Sequence, residues 1–292
     1  MRYIILIPVF LMLIFAGCSG GTSVDDRPAV TVSILPQEYM VKRIAGDNFR
    51  INVLVPPGAS PETYEPTPGQ MRDVANSSLY FRIGYIEFER TVLNNIQLQN
   101  NELMVINTAE GVDLIAGEIV EHDDHVHLYG VDPHIWLSIP AVKVQVRNIT
   151  ESLIKKDPDN KDLYAANSSE FVKEMDQMHE SFTERFEGTD RKTFLIFHPA
   201  LAYFARDYGL NQISIEEEGK NPTASNMKKI IDLAREEGIN DVFIQLEFER
   251  ENAMAVAREL GGEVIEIDPL SADWKGNMEV IAEKLHNTLT KN

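Results

Sequence analysis

The chain has 292 residues, of which 43% are hydrophobic and 25% are charged, as in an ordinary globular protein. Its 46 acidic residues outnumber the 27 lysines and arginines, so the formal net charge is −19 at pH 7. Such a charge repels nucleic acid and anionic lipid head groups and attracts cations over long range, so we expect no nucleic-acid partner. The single cysteine, Cys18, excludes a disulfide within the chain.

The N-terminal segment has the order of a secretory signal. One arginine precedes an unbroken apolar run over residues 3–16, which ends at small residues and Cys18. The run is shorter than the roughly 20 residues of a membrane-spanning helix. Small residues directly before a cysteine resemble a lipoprotein signal; an uncleaved anchor is the alternative. We expect a signal peptide over 1–17, a lipidated tether over 18–28, and an extracytoplasmic protein anchored to the cell membrane through Cys18.

From residue 29 onward, short apolar runs rich in β-formers alternate with helical patterns. This alternation is typical of parallel sheets whose strands are joined by crossover helices. We therefore predict an α/β protein of two lobes, 29–158 and 189–292, each a mainly parallel four-stranded sheet flanked by helices. The predicted strands are 29–35, 49–55, 79–84 and 103–108 in the first lobe, and 192–197, 211–215, 241–246 and 263–268 in the second.

One long rigid helix, residues 159–188, is predicted to join the two lobes. The segment DPDN offers natural N-cap residues before it, and Gly188 offers an end. Apolar side chains recur between these points at steps of 4, 3, 4 and 4 residues, which is one face of a helix. We interpret that face as core packing against both lobes. Its members are Phe171, Met175, Met178, Phe182 and Phe186.

Four candidate metal ligands lie at the ends of predicted strands or in loops close by, where open α/β sheets bind their ligands. Glu62 lies in the proline-rich segment PPGASPETYEPTP, and His134 follows Pro133. His198 and Asp268 each directly end a strand. Each residue alone has an ordinary alternative, as a solvated acid, a capping or core histidine, or part of a turn.

Taken together, the four side chains favour a metal site between the lobes. Two come from each lobe, and loops that converge from two lobes form a cleft, which is a common place for ligand sites. Two neutral imidazoles and two carboxylates cancel the charge of a divalent cation, which makes its burial easier.

Several motifs resemble those of the solute-binding lipoproteins of zinc and manganese ABC importers, the high-affinity zinc-binding branch especially. They are PPGASPETYEPTP, VDPHIWLSIP, FHPALAYFARDYGL and EEEGKNPTASNMKKIIDLA, and the similarity runs over about residues 29–290. The resemblance implies two α/β lobes joined by one long helix, with a metal held between them and delivered to a membrane permease. Carried over by position, the family's ligands fall on Glu62, His134, His198 and Asp268. We expect a monomer.

One position departs from the family's pattern. Where relatives read SPHTYEPTP, this chain has Glu62 in place of histidine. His198 matches the zinc branch, since manganese binders tend to have glutamate there, yet Glu62 restores the two-nitrogen, two-oxygen set that manganese and iron binders use. Imidazole suits zinc, carboxylate suits harder ions, and zinc outcompetes manganese at most mixed sites. We expect Zn2+ as the transported ligand, with Mn2+ or Fe2+ as the alternative.

Three further histidines, His122, His125 and His127, match the place of the histidine-rich loop in zinc-branch proteins. With the neighbouring acids they form an accessory site for a second, weaker ion in one interpretation. A solvated loop is the other interpretation.

Two rival classes use similar residues. A zinc-dependent hydrolase needs three protein ligands and an open position, but the chain lacks an HExxH motif, since no histidine follows His179-Glu180 at the required spacing. An adhesin that carries a structural metal is the second rival. We expect a receptor and not an enzyme.

Overall fold

The computed structural model describes residues 25–96, 100, 102–116, 120–122, 125–127, 130–216 and 222–291. Two parallel four-stranded sheets, each flanked by helices, form the two lobes. This architecture confirms the predicted α/β class. The expected signal peptide and Cys18 lie outside the described residues. Within the described ranges, none of the helices has the length and apolar character needed to cross a membrane.

The first sheet has the strand order β2-β1-β3-β4, and all its neighbours are parallel. The central strand β1 is buried along its whole length, as expected for a strand covered by helices on both faces. The strands are β1 (Ala29–Val32), β2 (Arg50–Val53), β3 (Leu79–Arg82) and β4 (Met104–Asn107), and the helices of this lobe are α1 (Leu35–Ala45), α2 (Pro68–Ala75), α3 (Glu87–Ile96) and α4 (Ile139–Lys156).

A short antiparallel hairpin precedes α4. It consists of β5 (Val120–His122) and β6 (His125–His127), and its register pairs His122 with His125. An isolated antiparallel bridge between Ala116 and Val131 closes its base. The side chains of the accessory histidines lie outside the described part of the structure, so the second metal site stays a prediction.

The second sheet has the order β10-β9-β7-β8, again parallel throughout. In both sheets the first strand of the lobe lies between the second and the third. The strand order therefore changes direction at this first strand in each sheet. Ligand sites of open sheets form at the carboxyl ends of the strands beside such a point. The elements are β7 (Thr193–Ile196), β8 (Asn211–Ser214), β9 (Val242–Gln245), β10 (Val264–Ile267), α6 (Ala202–Asp207), α7 (Ala224–Glu236), α8 (Arg250–Leu260) and α9 (Trp274–Thr290).

The long helix α5 (Lys161–Glu187) connects the lobes and ends at Gly188. All five apolar residues of its predicted face are buried. Its residue Glu174 forms ion pairs with Arg43 on α1, at 2.6 Å, and with Lys275 on α9, at 2.8 Å. The helix therefore contacts elements of both lobes directly.

Two tryptophans join the lobes close to the predicted site. Trp136 donates its Nε1 proton to the backbone oxygen of Pro269 at 2.9 Å, and Trp274 donates to the backbone oxygen of Trp136 at 2.7 Å. Both side chains are fully buried in a hydrophobic core that includes residues of both lobes. These bonds fix the spacing of the loops that carry His134 and Asp268.

Candidate metal centre

Glu62 lies in the loop between β2 and α2. Hydrogen bonds anchor this loop both before and after Glu62. Thr67 caps α2 and forms a capping box with Gln70. Gln70 also accepts a hydrogen bond from the Tyr64 hydroxyl at 2.7 Å and donates one to the backbone oxygen of Leu54 at 2.6 Å. The Glu62 side chain remains 35% exposed, so it forms the outer wall of the site.

His134 is held by the carboxylate of Asp132. Oδ1 of Asp132 accepts the backbone N–H of His134 and lies 2.8 Å from its ring Nδ1. Tyr203 of the second lobe donates its hydroxyl proton to the backbone oxygen of Asp132 at 2.8 Å and accepts the N–H of Ile115 at 3.1 Å. With Nδ1 engaged in this way, Nε2 is the ring nitrogen of His134 that is free to bind a ligand.

His198 lies two residues beyond the end of β7 and is held in the same manner. Its Nδ1 lies 2.5 Å from Oε2 of Glu216, and its ring stacks on Phe248 with centroids 4.9 Å apart and planes inclined by 18°. Both histidines are 6% exposed. A carboxylate on one ring nitrogen fixes the ring orientation of a metal-binding histidine and makes the other nitrogen a better donor.

The free nitrogens of the two histidines meet at Glu62. Nε2 of His198 lies 3.3 Å from Nε2 of His134 and 3.1 Å from Oε1 of Glu62. The three ligand atoms lie within 4.8 Å of one another. They border a cavity of about 20 Å³ between the lobes. That volume accommodates one water molecule or one ion.

The charges around His198 favour its protonated form when no cation is bound. Burial alone lowers the pKa of His198, but the hydrogen bonds to Glu216 and Glu62 outweigh it and raise the pKa to about 9. Burial also opposes ionisation of Glu62, yet the hydrogen bond and the charge of His198 keep the pKa of Glu62 below its ordinary value. The site is therefore an ion pair that a divalent cation can replace by displacing one proton.

Asp268 lies directly after β10, but its carboxylate is not part of the three-residue cluster. Its Oδ1 accepts the backbone N–H of Leu270 at 3.1 Å, and Pro269 and Leu270 line the cavity. Burial raises the pKa of Asp268. Burial also raises the pKa of the neighbouring Glu247, with the charge of Asp268 as a further cause. The two carboxylates thus lie close enough to repel each other at the second lobe's side of the cleft.

The sequence did not lead us to predict two acids at this site, Glu216 and Glu247. Glu216 follows β8 and Glu247 follows β9, so both lie at the carboxyl edge of the second sheet. The strand-end rule that selected His198 and Asp268 applies to them equally. What the sequence lacks is a sign that these two, among many acids, point inward.

The chain matches a known family over most of its length. Residues 30–288 match the family described as "Zinc-uptake complex component A periplasmic". The high-affinity zinc uptake system protein ZnuA of Bacillus subtilis is 25% identical over 264 residues, which cover 85% of this chain and 82% of that protein. The manganese-binding lipoprotein MntA of Halalkalibacterium halodurans is 24% identical over 298 residues, which cover 96% and 94% of the two chains.

A crystal structure of ZnuA resembles this chain with a TM-score of 0.84 at 37% sequence identity, and the match covers 91% of this chain and all of that one. The shared fold has the two sheets and the long helix described above. These matches confirm the resemblance that the sequence motifs indicated. The chain belongs to the zinc-uptake component A family, whose members are solute-binding receptors for metal uptake and not enzymes.

Proposed function

We propose that this chain holds one zinc ion between its lobes, on Glu62, His134, His198 and Asp268, and delivers it to the permease of an ABC importer. Its general role is that of an extracytoplasmic metal-binding component of a metal ABC uptake system. In the proposal, lipidated Cys18 anchors the chain to the membrane, and the receptor acts as a monomer.

The observation that carries this proposal is the convergence of three donor atoms. Nε2 of His134, Nε2 of His198 and Oε1 of Glu62 face one another, while the second nitrogen of each ring is engaged by a carboxylate. Such carboxylate–histidine pairs are typical of metal ligands. Two histidines with their free nitrogens 3.3 Å apart have little reason to be buried together unless they share a proton or a cation.

Charge supports a divalent ion as the cargo. Neutral imidazoles of His134 and His198 with the carboxylates of Glu62 and Asp268 give two negative charges, which cancel those of the ion. Asp268 enters this set through a rearrangement: its carboxylate must leave the N–H of Leu270 and turn toward the cavity. The two residues that follow it, Pro269 and Leu270, line that cavity.

Zinc is the proposed cargo because both nitrogen ligands suit it and because it outcompetes manganese at most mixed sites. Manganese or iron is the second candidate, and Glu62 is the observation that favours it. A carboxylate stands where zinc-branch relatives have an imidazole, and carboxylates favour harder ions. MntA, one of the relatives named above, is a manganese-binding protein by its own name.

Metal content and a competition titration with a chelator test the proposal on purified residues 26–292. The wild-type chain should bind one equivalent of zinc tightly, and His198→Ala should weaken binding at least as far as the roughly 10–100-fold typical of lost supporting contacts. His179→Ala is the matched control, since that histidine lies on α5 and bonds to the Tyr208 hydroxyl at 3.0 Å instead. Equal zinc affinity in all three proteins contradicts the proposed site.

A further inference from the structure

Gln245 is a buried polar residue of the cavity whose side chain is only half satisfied. It is the last residue of β9 and is 2% exposed. Its Nε2 donates to the backbone oxygen of His198 at 2.6 Å. Its Oε1 is buried and has no hydrogen-bond partner among the residues that the structure describes.

The orientation of this amide is fixed by chemistry. The backbone oxygen of His198 can only accept a hydrogen bond, so the amide nitrogen of Gln245 must face it. Turning the amide over would place two oxygens against each other at 2.6 Å. Oε1 therefore points away from the His198 backbone, and it does so in a residue that lines the cavity together with Glu62, His134 and His198.

A buried acceptor without a donor is costly, and buried polar groups in proteins are nearly always paired with protein or water. The cavity has room for one water molecule, and Glu62, His134, His198 and Gln245 are among the residues that line it. A water there can donate one proton to Oε1 and still face the cluster of ligand atoms. A water in this cavity therefore has polar partners in Oε1 of Gln245 and in the ligand atoms.

We infer that Gln245 is a specificity-determining residue of the metal site: its Oε1 accepts a hydrogen bond from a water that the bound cation retains. This inference rests on the proposed function, since it needs the cation to bind at Glu62, His134 and His198. The cation lies among the three donor atoms that border the cavity, and the retained water fills the cavity itself. This water adds one coordination position to those supplied by the protein. Zinc is satisfied by four ligands in most protein sites, whereas manganese favours octahedral oxygen-rich shells. Gln245 accordingly supports the harder ion more than zinc.

The first experiment uses the unmodified protein. The full-length chain is loaded with Mn2+, and electron–nuclear double resonance is recorded in H2O and in D2O. We expect proton signals close to the manganese that disappear in D2O, because they belong to the retained water. A manganese centre whose only exchangeable protons are the more distant N–H protons of its histidine ligands overturns the inference. Direct ligation by the amide oxygen also overturns it, because the amide then takes the place of the water.

Substitution separates the acceptor from the donor of this amide. Gln245→Met removes both and keeps the length of the side chain, while Gln245→Glu keeps an acceptor and loses the donor to His198. We expect Gln245→Met to lower manganese affinity about tenfold, which is the lower end of the effect of supporting residues, and zinc affinity by less. Gln245→Glu should bind manganese at least about tenfold more tightly than Gln245→Met.

Gln212→Met is the matched control. Gln212 lies on β8, outside the residues that line the cavity, and its Oε1 accepts the backbone N–H of Leu201 at 2.7 Å. Equal weakening in both Gln245 variants assigns the residue a positioning role through His198 and overturns the inference. If the wild-type chain binds neither zinc nor manganese, the proposed function fails; if it binds both and Gln245→Met leaves their ratio unchanged, this inference alone fails. Should the methionine variant not fold, a wild-type spectrum without a metal-bound water still overturns the inference.

Discussion

The carboxylate of Glu216 lies 2.5 Å from Nδ1 of His198, on the ring edge opposite the nitrogen that faces Glu62. The strand register explains this contact. Ile196 of β7 pairs with Ser214 of β8, and His198 and Glu216 each lie two residues further along. Neighbouring parallel strands therefore place the ligand and its supporting acid at matching positions.

Glu216→Gln should weaken zinc binding roughly 10–100-fold, because the amide no longer supports the imidazole as a carboxylate does. The same change should lower the pKa of His198, since one of the two acids that raise it is lost. Competition titration measures the first effect, and proton NMR of the imidazole measures the second. Glu263→Gln is the control, an exposed acid whose side chain is 81% accessible. Unchanged affinity and pKa in Glu216→Gln would show that this contact has no functional role.

Glu62→His should raise selectivity for zinc over manganese, because imidazole suits zinc and carboxylate suits manganese. Glu62→Gln, which keeps the shape and removes the charge, should weaken both ions. Titrations with each metal give the ratio directly. If Glu62 faces solvent and water completes the shell, both substitutions leave the zinc-to-manganese ratio where it was, and direct ligation is then excluded.

Zinc affinity should increase with pH. The pKa of His198 is raised to about 9 in the metal-free protein, so the ring is protonated at neutral pH and must lose that proton before its Nε2 binds a cation. Apparent affinity should therefore increase about tenfold per pH unit below pH 9 and level off above it, with one proton released per ion from this residue. Calorimetry in buffers of different ionisation enthalpy counts the protons. A pH-independent affinity between pH 6.5 and 9 contradicts the raised pKa.

Zinc should stabilise the folded chain, since the proposed site requires both lobes in place. At a thousandfold excess of free zinc over the dissociation constant, the free energy of unfolding should rise by about 4 kcal/mol. Deletion of residues 121–127 should leave this gain largely intact, because the proposed ligands lie outside that segment. Thermal melts with and without zinc measure it. Loss of the gain on deletion would place the tight site at His122, His125 and His127 instead.

Glu174→Gln should destabilise the chain by about 1 kcal/mol, because α5 loses its ion pairs to Arg43 and Lys275. These side chains are partly exposed, so the loss stays small and should shrink at high salt. The pKa of Glu174 is lowered to about 2 by Arg43 and then Lys275, so this contribution is present above the ordinary pKa of glutamate and disappears as pH falls toward 2. Urea titration measures it, with the exposed Glu184→Gln on the same helix as control. Equal stability of both variants refutes the role of Glu174 as a link between lobes.

The sheets and the long helix could be predicted because each depends on local periodicity. The ends of the strands were predicted less accurately. The first strand was predicted over residues 29–35 but ends at Val32, because Leu35 and Pro36 already begin α1. The loop positions of Glu62, His134 and His198 followed from the rule for strand ends and from the family resemblance, and the structure brings their donor atoms together.

The supporting residues could not be predicted from local pattern. Glu216 is placed by the register of β7 against β8, and Gln245 by its contact with a backbone oxygen 47 residues earlier. The strand-end rule predicts Asp268 as it predicts His198, yet the Asp268 carboxylate accepts the backbone N–H of Leu270 in its own turn and lies outside the three-residue cluster. Side-chain direction beyond a strand depends on tertiary packing, which spacing in the sequence does not contain.

Anomalous diffraction from crystals of the zinc-loaded chain gives the sharpest test of the proposed metal site, because it locates the ion by its own absorption edge. We expect one strong peak between the lobes, at about 2.0–2.2 Å from Nε2 of His134, Nε2 of His198 and a carboxylate oxygen of Glu62. A zinc peak elsewhere, with these three side chains still hydrogen-bonded to one another, would contradict the proposed site.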